Sequence, residues 1–261
     1  MIPSIDDLRT LAHEIKEAVK PYLGRKSITN EICASGDLVR KVDVVADNVI
    51  KKAAEEKNWD LGIITEELGV VGEGPPYLLV DPVDGSVNAD LGIPIASVSI
   101  ALTEGTDLSS VREGVVLSLF QDEEYLAVYG EGAFLNGRRI RVEEPREDVA
   151  VVYAPCRGGI HDLKEILGIR HLSTRDYGCI SMGLAYLSRG LIHAVMDMGY
   201  VRPFDVASGF LLVKEAGGVV MVDRDPDVRD VRGCFSFISA SSLNFCNFLM
   251  ERLSRSFKPM F

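Results

Sequence analysis

Hydrophobic positions along this chain follow two periods. Near the start, Ile5, Leu8, Ala12, Ile15, Val19 and Tyr22 recur every three or four residues, the spacing that lines one face of an α-helix. After a polar connection, "SITNEICASGD", the spacing returns at Val42, Val45, Val49 and Ala53 and predicts a second helix from about Arg40 to Lys57. Then the period changes. "LGIIT" and "YLLVD" are short apolar runs that read as buried strands, "ASVSIALT" alternates as a strand does, and "EGVVLSLF" and "EEYLAVYGEG" read as a strand pair. From about Ala150 the pattern restarts. A strand, "AVVYA", precedes a helix, "HDLKEILG", ended by glycine, and a second helix, "CISMGLAYLSRG". A strand, "LIHAVMDM", leads to the helix "PFDVASGFLLVKEAGG", with proline near its start and two glycines at its end. Strands "VVMVD" and "FSFISAS" and a closing helix, "SLNFCNFLMERLSR", complete the chain. A soft boundary near Glu144–Val149 divides it into residues 1–148 and 149–261. Strands alternate with helices, yet many look hairpin-linked. The expectation is therefore an α+β fold, with mixed sheets sandwiched by helices rather than one parallel sheet.

Composition narrows the function. The 261 residues are 47% apolar and 26% charged, enough to bury a sizeable core. A net charge of −11 argues against a general nucleic-acid binder, which needs a positive surface to displace counterions from phosphates. An acidic protein that handles an anionic substrate needs something locally positive, such as a bound metal. No uninterrupted apolar run of about 18 residues predicts a membrane span. The N-terminal segment carries acids early and has no apolar core of the signal-peptide kind. The cysteines, Cys33, Cys156, Cys179, Cys234 and Cys246, are odd in number and form no Cys-x-x-Cys pair, against a disulfide framework or a zinc site. A cytoplasmic location is the simplest expectation.

The candidate chemistry centres on "LLVDPVDGSVNAD", Leu78 to Asp90. Asp81 ends an apolar run and so falls at the C-terminal edge of a strand, where α/β proteins tend to bind ligands. Pro82 fixes its own φ and Gly85 permits a tight bend. Two carboxylates three residues apart across a rigid turn can converge on one point, where their repulsion is relieved by protonation or by a cation. Paired oxygen ligands, with the carbonyl of Val83 as a further one, suit a hard cation such as Mg²⁺. A plain Asp-Gly turn accounts for the same residues. The Asp-x-x-Asp-Gly spacing differs by one residue from the Asp-x-Asp-Gly-Thr signature of the haloacid dehalogenases, against an aspartyl nucleophile. "DRDPDVRD" spaces Asp223, Asp225 and Asp227 as an EF-hand does, but Val228 and Cys234 stand where that loop needs Gly and Glu, so a solvated hairpin loop is expected. Glu66 also ends an apolar strand, and Asp205 lies in the first turn of a helix, where the helix dipole favours an acid in any case.

Together, "TEE", "DPVDGS" and "FDVASGFLLVKEAGG", in that order and at those separations, resemble the inositol monophosphatase–fructose-1,6-bisphosphatase superfamily, and "EGAFLNGRRI" resembles its Gly-x-Gly-Ala hairpin. The likeness covers nearly the whole chain. It implies a layered α/β/α/β/α sandwich. It also implies Glu66, Asp81, Asp84, Asp205 and the Val83 carbonyl as ligands of two or three Mg²⁺ ions, with Mn²⁺ as a substitute. Two such ions neutralise four carboxylates and a third leaves positive charge for a phosphate dianion. The implied reaction is phosphomonoester hydrolysis by direct attack of water, with Glu66, Asp43 and Ser86 as catalytic residues, Asp43 and Ser86 orienting the water. The amides of Gly85 and Ser86 open a short helix that cradles the phosphate. By resemblance Glu67 supports Glu66 or a third metal, and Asp37 matches a loop aspartate.

The substrate is less sharply marked. "DMGYVRPFD" has Asp197 and Phe204 where inositol phosphatases carry Glu and Trp, plus one added residue, and looks more like the archaeal-type enzymes active on both inositol 1-phosphate and fructose 1,6-bisphosphate. A bisphosphate needs a second cationic contact, for which Arg157, Arg175 and Arg202 are candidates, with Tyr153 and Tyr177 as hydroxyl partners; Tyr200 belongs with Arg202 to the longer segment and is expected to bind substrate. Asp176 and Asp197 are placed to accept hydrogen bonds from sugar hydroxyls. The expected partner is thus a small sugar or cyclitol phosphate, not nucleic acid or membrane, and the resemblance adds a homodimer and lithium sensitivity. A substrate such as 3′-phosphoadenosine 5′-phosphate or histidinol phosphate remains the alternative. A catalytically dead relative is disfavoured because every ligand acid is in place.

Overall fold

The fold was read from a computed structural model, which describes residues 1–32, 38–145, 149–154, 163–253 and 257–261. Cys33, Asp37, Cys156 and Arg157 lie outside the described residues. Helix α1 (Ile5–Val19) starts at Ser4, whose hydroxyl accepts from the Asp7 amide while the Asp7 carboxylate accepts from the Ser4 amide. Strands β1 (Ile28–Ile32) and β2 (Leu38–Arg40) pair antiparallel and lead into α2 (Lys41–Lys57). The first of these strands was not expected. It lies in the segment read as a polar connection, because three polar residues separate its two isoleucines and leave no strand period to see.

The first sheet has eight strands. In chain order they are β3 (Gly62–Thr65), β4 (Gly69–Val71), β5 (Tyr77–Asp84), β6 (Ser97–Thr103), β7 (Val111–Ser118), β8 (Glu124–Val128), β9 (Gly132–Leu135) and β10 (Arg138–Arg139). Across the sheet the order is β10-β9-β8-β7-β6-β5-β3-β4, and only the β3–β5 pairing is parallel. A short helix, α3 (Ser86–Leu91), leaves the end of β5. The second sheet contains β11 (Val149–Tyr153), β12 (His171–Arg175), β13 (Ala194–Val201), β14 (Val219–Val222), β15 (Phe235–Ala240) and β16 (Lys258–Pro259), ordered β12-β11-β13-β15-β14-β16. Helices α4 (Leu163–Leu167), α5 (Ile180–Ser188), α6 (Pro203–Glu215) and α7 (Leu243–Arg252) complete the fold. The sheets are mixed, as the sequence pattern predicts.

The layers follow from strand parity, since successive side chains point to opposite faces. Leu78, Val80, Val98, Ile100, Val115 and Leu117 pack with α1 and α2 on one face of the first sheet. Their neighbours Leu79, Ala101 and Val116 point the other way, onto α5 and α6. The same helices receive Val195, Val220, Val222, Phe235 and Phe237 from the second sheet. Ala194, Met196, Met221 and Ile238 turn to the far face, under α4 and α7. The result is the expected α/β/α/β/α sandwich. Helix α6 is apolar nearly all round, as a helix held between two sheets must be. Its closeness to α5 requires Gly209, where an added Cβ would fall 2.5 Å from Leu184. At its other end, Glu215 accepts hydrogen bonds from the amides of Gly130 and Gly132, which binds the Gly-x-Gly-Ala hairpin to the central layer. The "DRDPDVRD" loop is pinned by Val228, fully buried, whose amide donates to the Thr106 carbonyl. No helix among the described residues is long and apolar enough to cross a membrane.

Candidate active site

The end of β5 explains how two aspartates three apart come to share a face. Asp81 pairs with Ser99 and Asp84 with Ser97, so three steps along β5 match two along β6. That extra residue is a β-bulge. In an unbroken strand, residues i and i+3 face opposite ways; the bulge at Pro82-Val83 reverses the parity and turns both carboxylates to one side. The Val83 amide donates to Asp81 Oδ1 at 3.1 Å. Gly85 then caps α3 with φ +81°, and a Cβ there would lie 3.0–3.1 Å from the carbonyl oxygens of Gly178 and Ile95 and the Cβ of Cys179. Only glycine meets both demands.

Two helix starts bring further carboxylates. In each, an arginine at the N-cap is followed three residues later by aspartate. The Arg40 amide donates to Asp43 Oδ2 at 2.6 Å, and the Arg202 amide to Asp205 Oδ2 at 2.7 Å. The carboxylate satisfies an amide that the helix leaves unpaired and lies at the positive end of its dipole. Glu66 arrives from the turn after β3, where the Thr65 hydroxyl accepts from the Leu68 amide. Its Oε1 accepts from Arg202 Nη1 at 2.8 Å.

These groups open on one cleft of ≈ 690 Å³ between the sheet ends. Asp43, Glu66, Asp81, Val83, Asp84 and Asp205 all line it. So do Gly85, Ser86, Asp176, Asp197, Tyr200 and Arg202. Arg175 does not: it is exposed at the end of β12, a polar edge strand the sequence pattern did not show, and its guanidinium donates to the Thr174 carbonyl. Tyr153, buried at the cleft, stacks on Tyr177 at 5.3 Å. Asp197 Oδ1 accepts from the Tyr200 amide at 2.8 Å, and Asp176 Oδ1 from the Gly178 amide at 3.1 Å.

The acids raise one another's proton affinity. Burial pushes Asp81 well above the usual carboxylate range, and the charges of Asp84, Glu66 and Asp205 push it further. Asp205 is raised the same way by burial and Glu66, against the pull of Arg202. Burial raises Asp43 to about 7, opposed by its hydrogen bond to the Arg40 amide. Asp84 is raised by burial but held back by donors from Ser181 and Cys179. Glu67, raised by burial and by Glu66, keeps a buried Oε2 with no hydrogen-bond partner. Among the described residues, no three His, Cys, Asp or Glu side chains stand ready-gathered around one metal position. The donor set nonetheless fits a hard divalent cation: it is all oxygen, it repels itself, and it contains an orphaned buried carboxylate oxygen.

Several residues in and behind the cleft have no counterpart among the sequence-based expectations. Arg40 lines the cleft and approaches Asp90 Oδ2 at 3.9 Å. Its signal was the Arg-x-x-Asp spacing it shares with Arg202. Asp90, the last acid of the "LLVDPVDGSVNAD" stretch, is structural: its Oδ1 accepts from the Ser27 amide at 2.5 Å. Asn88 on α3 donates to the carbonyls of Ile95 and Tyr177, tying α3 to the loop before α5. Cys179 and Ser181 lie 95 or more residues from the aspartate they contact, and no local pattern announces them.

The chain, a two-sheet sandwich whose cleft is lined by acids from a bulged strand and two capped helices, belongs to the inositol monophosphatase family, whose model matches residues 4–241. It is a phosphatase of the inositol monophosphatase and fructose-1,6-bisphosphatase class. The chain is 37% identical over 218 residues to the fructose-1,6-bisphosphatase/inositol-1-monophosphatase of the archaeon Thermococcus kodakarensis, covering 82% of this chain and 81% of that one. It is 32% identical over 220 residues to the fructose-1,6-bisphosphatase of Pyrococcus furiosus, covering 82% and 83%. The crystal structure of an inositol monophosphatase–fructose 1,6-bisphosphatase superposes with a TM-score of 0.85 at 24% identity, over 96% of this chain and all of that one, and shares the fold. The Thermotoga maritima IMPase superposes at 0.80 with 26% identity, over 95% of this chain and 97% of that one.

Proposed function

We propose that the protein hydrolyses small phosphate monoesters, inositol 1-phosphate and fructose 1,6-bisphosphate among them, by direct attack of water. The observation that carries this is the meeting of Glu66, Asp81, Asp84 and Asp205, from three separate segments, in one cleft where burial and mutual repulsion raise the proton affinities of Asp81 and Asp205. A group of acids so arranged is costly unless a cation neutralises it. These four residues, with the Val83 carbonyl, would hold two or three Mg²⁺ ions. When bound, Mg²⁺ supplies positive charge to the phosphate and lowers the pKa of water.

The chain's own residues supply the rest. Asp43, with a proton affinity near neutrality, and Ser86 orient the attacking water. The amides of Gly85 and Ser86 meet the phosphate at the start of α3, and Glu67 supports Glu66 from behind. Asp176 and Asp197 accept from substrate hydroxyls, and Tyr200 and Arg202 meet a distal phosphate. Water adds to phosphorus, and the ester oxygen departs with its bonding pair and takes up a proton, so no enzyme–phosphate bond forms. A homodimer, lithium inhibition and a cytoplasmic setting belong to the same reading; Cys179, Cys234 and Cys246 are free thiols, in keeping with the last.

The test is phosphate release with Mg²⁺ from inositol 1-phosphate, fructose 1,6-bisphosphate and 3′-phosphoadenosine 5′-phosphate. Turnover of both sugar esters is expected. Turnover of the nucleotide alone would replace the substrate while keeping the site. Sedimentation velocity tests the dimer.

A further inference from the structure

Asp84 is held differently from the other cleft acids. One of its oxygens, Oδ2, accepts from the Ser181 amide at 2.6 Å, from the Ser181 hydroxyl at 2.5 Å and from the Cys179 thiol at 3.2 Å. Behind them, Ser97 on β6 lies 2.6 Å from the Ser181 hydroxyl and 3.3 Å from the Cys179 sulfur. Ser97, Cys179 and Ser181 are all buried, at 0–1% exposure. The protons can be counted. An ionised carboxylate only accepts, so the Ser181 hydroxyl proton points to Asp84; the Ser97 proton then points to the Ser181 oxygen, and the thiol proton to Asp84. The three donors of Ser181 and Cys179 are therefore directed at one carboxylate oxygen, with Ser97 backing the Ser181 hydroxyl, and the other, Oδ1, takes none of these three bonds.

We infer that Ser181, backed by Ser97 and Cys179, is a positioning residue for Asp84. It saturates Oδ2, fixes the carboxylate's rotation and so presents Oδ1 alone toward a cation. The start of α5, which carries Ser181, thereby sets the geometry of a ligand on β5 in the other half of the chain. This rests on the reading of Asp84 as a metal ligand proposed above. Partners that orient a ligating carboxylate commonly change metal affinity by about 10–100-fold when lost.

The test is calorimetric titration of Mn²⁺ into the whole protein without substrate, with melting in chelator alongside. Ser181→Ala is expected to bind Mn²⁺ about 10-fold more weakly, and Ser181→Thr, which keeps the hydroxyl, to recover most of that loss. Ser99→Ala is the control. Ser99 pairs with Ser208 at 2.6 Å, equally buried and two residues along the same strand, but takes no part in the Asp84 network. It is expected to lower the melting temperature as Ser181→Ala does and to leave Mn²⁺ affinity unchanged. Wild-type affinity in Ser181→Ala, or an equal loss in Ser99→Ala, overturns the inference alone. A wild-type protein that takes up no divalent cation overturns the metal reading, and this inference with it.

Discussion

Helices α2 and α6 begin alike. Each has arginine at the N-cap with φ near −110° and ψ near 164°, and each returns an aspartate from its third position to the capping amide. Beyond that first turn they diverge. Helix α2 buries one face against the first sheet and leaves Lys51 and Lys52 in water; α6 is enclosed between two sheets. One turn after its aspartate, α2 carries Asp47, raised to about 6 by burial, whereas α6 carries Gly209 against Leu184. The shared turn aims the two carboxylates in the same way, and the surroundings decide how tightly each holds a proton. Burial raises both, Asp43 to about 7 and Asp205 well above the usual carboxylate range; Glu66 adds to each rise, and Arg40 and Arg202 oppose it at their own helix starts.

Breaking the pair should separate aim from surroundings. Asp205→Asn keeps an acceptor for the Arg202 amide but removes the charge of a proposed ligand. We expect divalent-cation affinity, read by calorimetry, to fall by about 100-fold or more, since even supporting partners are worth about 10–100-fold. Asp43→Asn should leave that affinity far less changed while slowing turnover by about 100-fold or more, the usual contribution of a group that assists proton transfer. Gly209→Ala should destabilise by about 1–3 kcal/mol through overpacking against Leu184, measured by denaturant unfolding; Asp47→Ala, at the matching position of α2, removes a buried carboxyl instead of adding bulk and should cost less.

A smaller effect reads proton affinity directly. The Asp43 carboxyl is raised from 3.8 to about 7 in the folded state, so between those pH values the native protein holds a proton that the unfolded chain releases. Stability of the chelated protein should therefore fall as pH rises from about 4 to about 7, by about 1.4 kcal/mol for each tenfold in proton affinity at most. Asp43→Asn should melt with wild type near pH 4 and above it from pH 7 upward; parallel melting curves at both ends would sink the assignment. Least affected should be the C-termini. Helix α2 ends at Asn58 with φ +49° and α6 is followed by Gly217 with φ +91°, where an added Cβ would meet nothing within 4 Å. Asn58→Gly should stabilise and Gly217→Ala destabilise, each by about 1 kcal/mol or less.

What the sequence makes legible follows from how local the cause is. The periods of α1, α2 and α6 and the apolar runs of β3 and β5 are written in neighbouring residues, and so is the Asp-x-x-Asp-Gly turn. Strands β1 and β12 are polar, lie in small or edge pairings, and take their form from partners rather than from period. The site divides the same way. Glu66, Asp81, Asp84 and Asp205 stand at readable strand and helix ends. The signal of Arg40, its Arg-x-x-Asp spacing, is written locally too, whereas Asn88 and the Ser97–Cys179–Ser181 network act across the layers and leave no local trace. Arg175 shows the reverse: it closes β12 exposed and away from the cleft, whereas Asp176, just past the end of the strand, lines it.

The bulge in β5 makes this protein sensitive to counting as well as to chemistry. Exchanging Val83 for another apolar residue preserves the number of steps between Asp81 and Asp84, whereas inserting one residue beside it adds a step that the bulge does not absorb and sends Asp84 toward the layer of α1 and α2. A library built by substitution alone would find that segment tolerant at Val83. One built with single-codon insertions would find it intolerant there, although no acid had been touched.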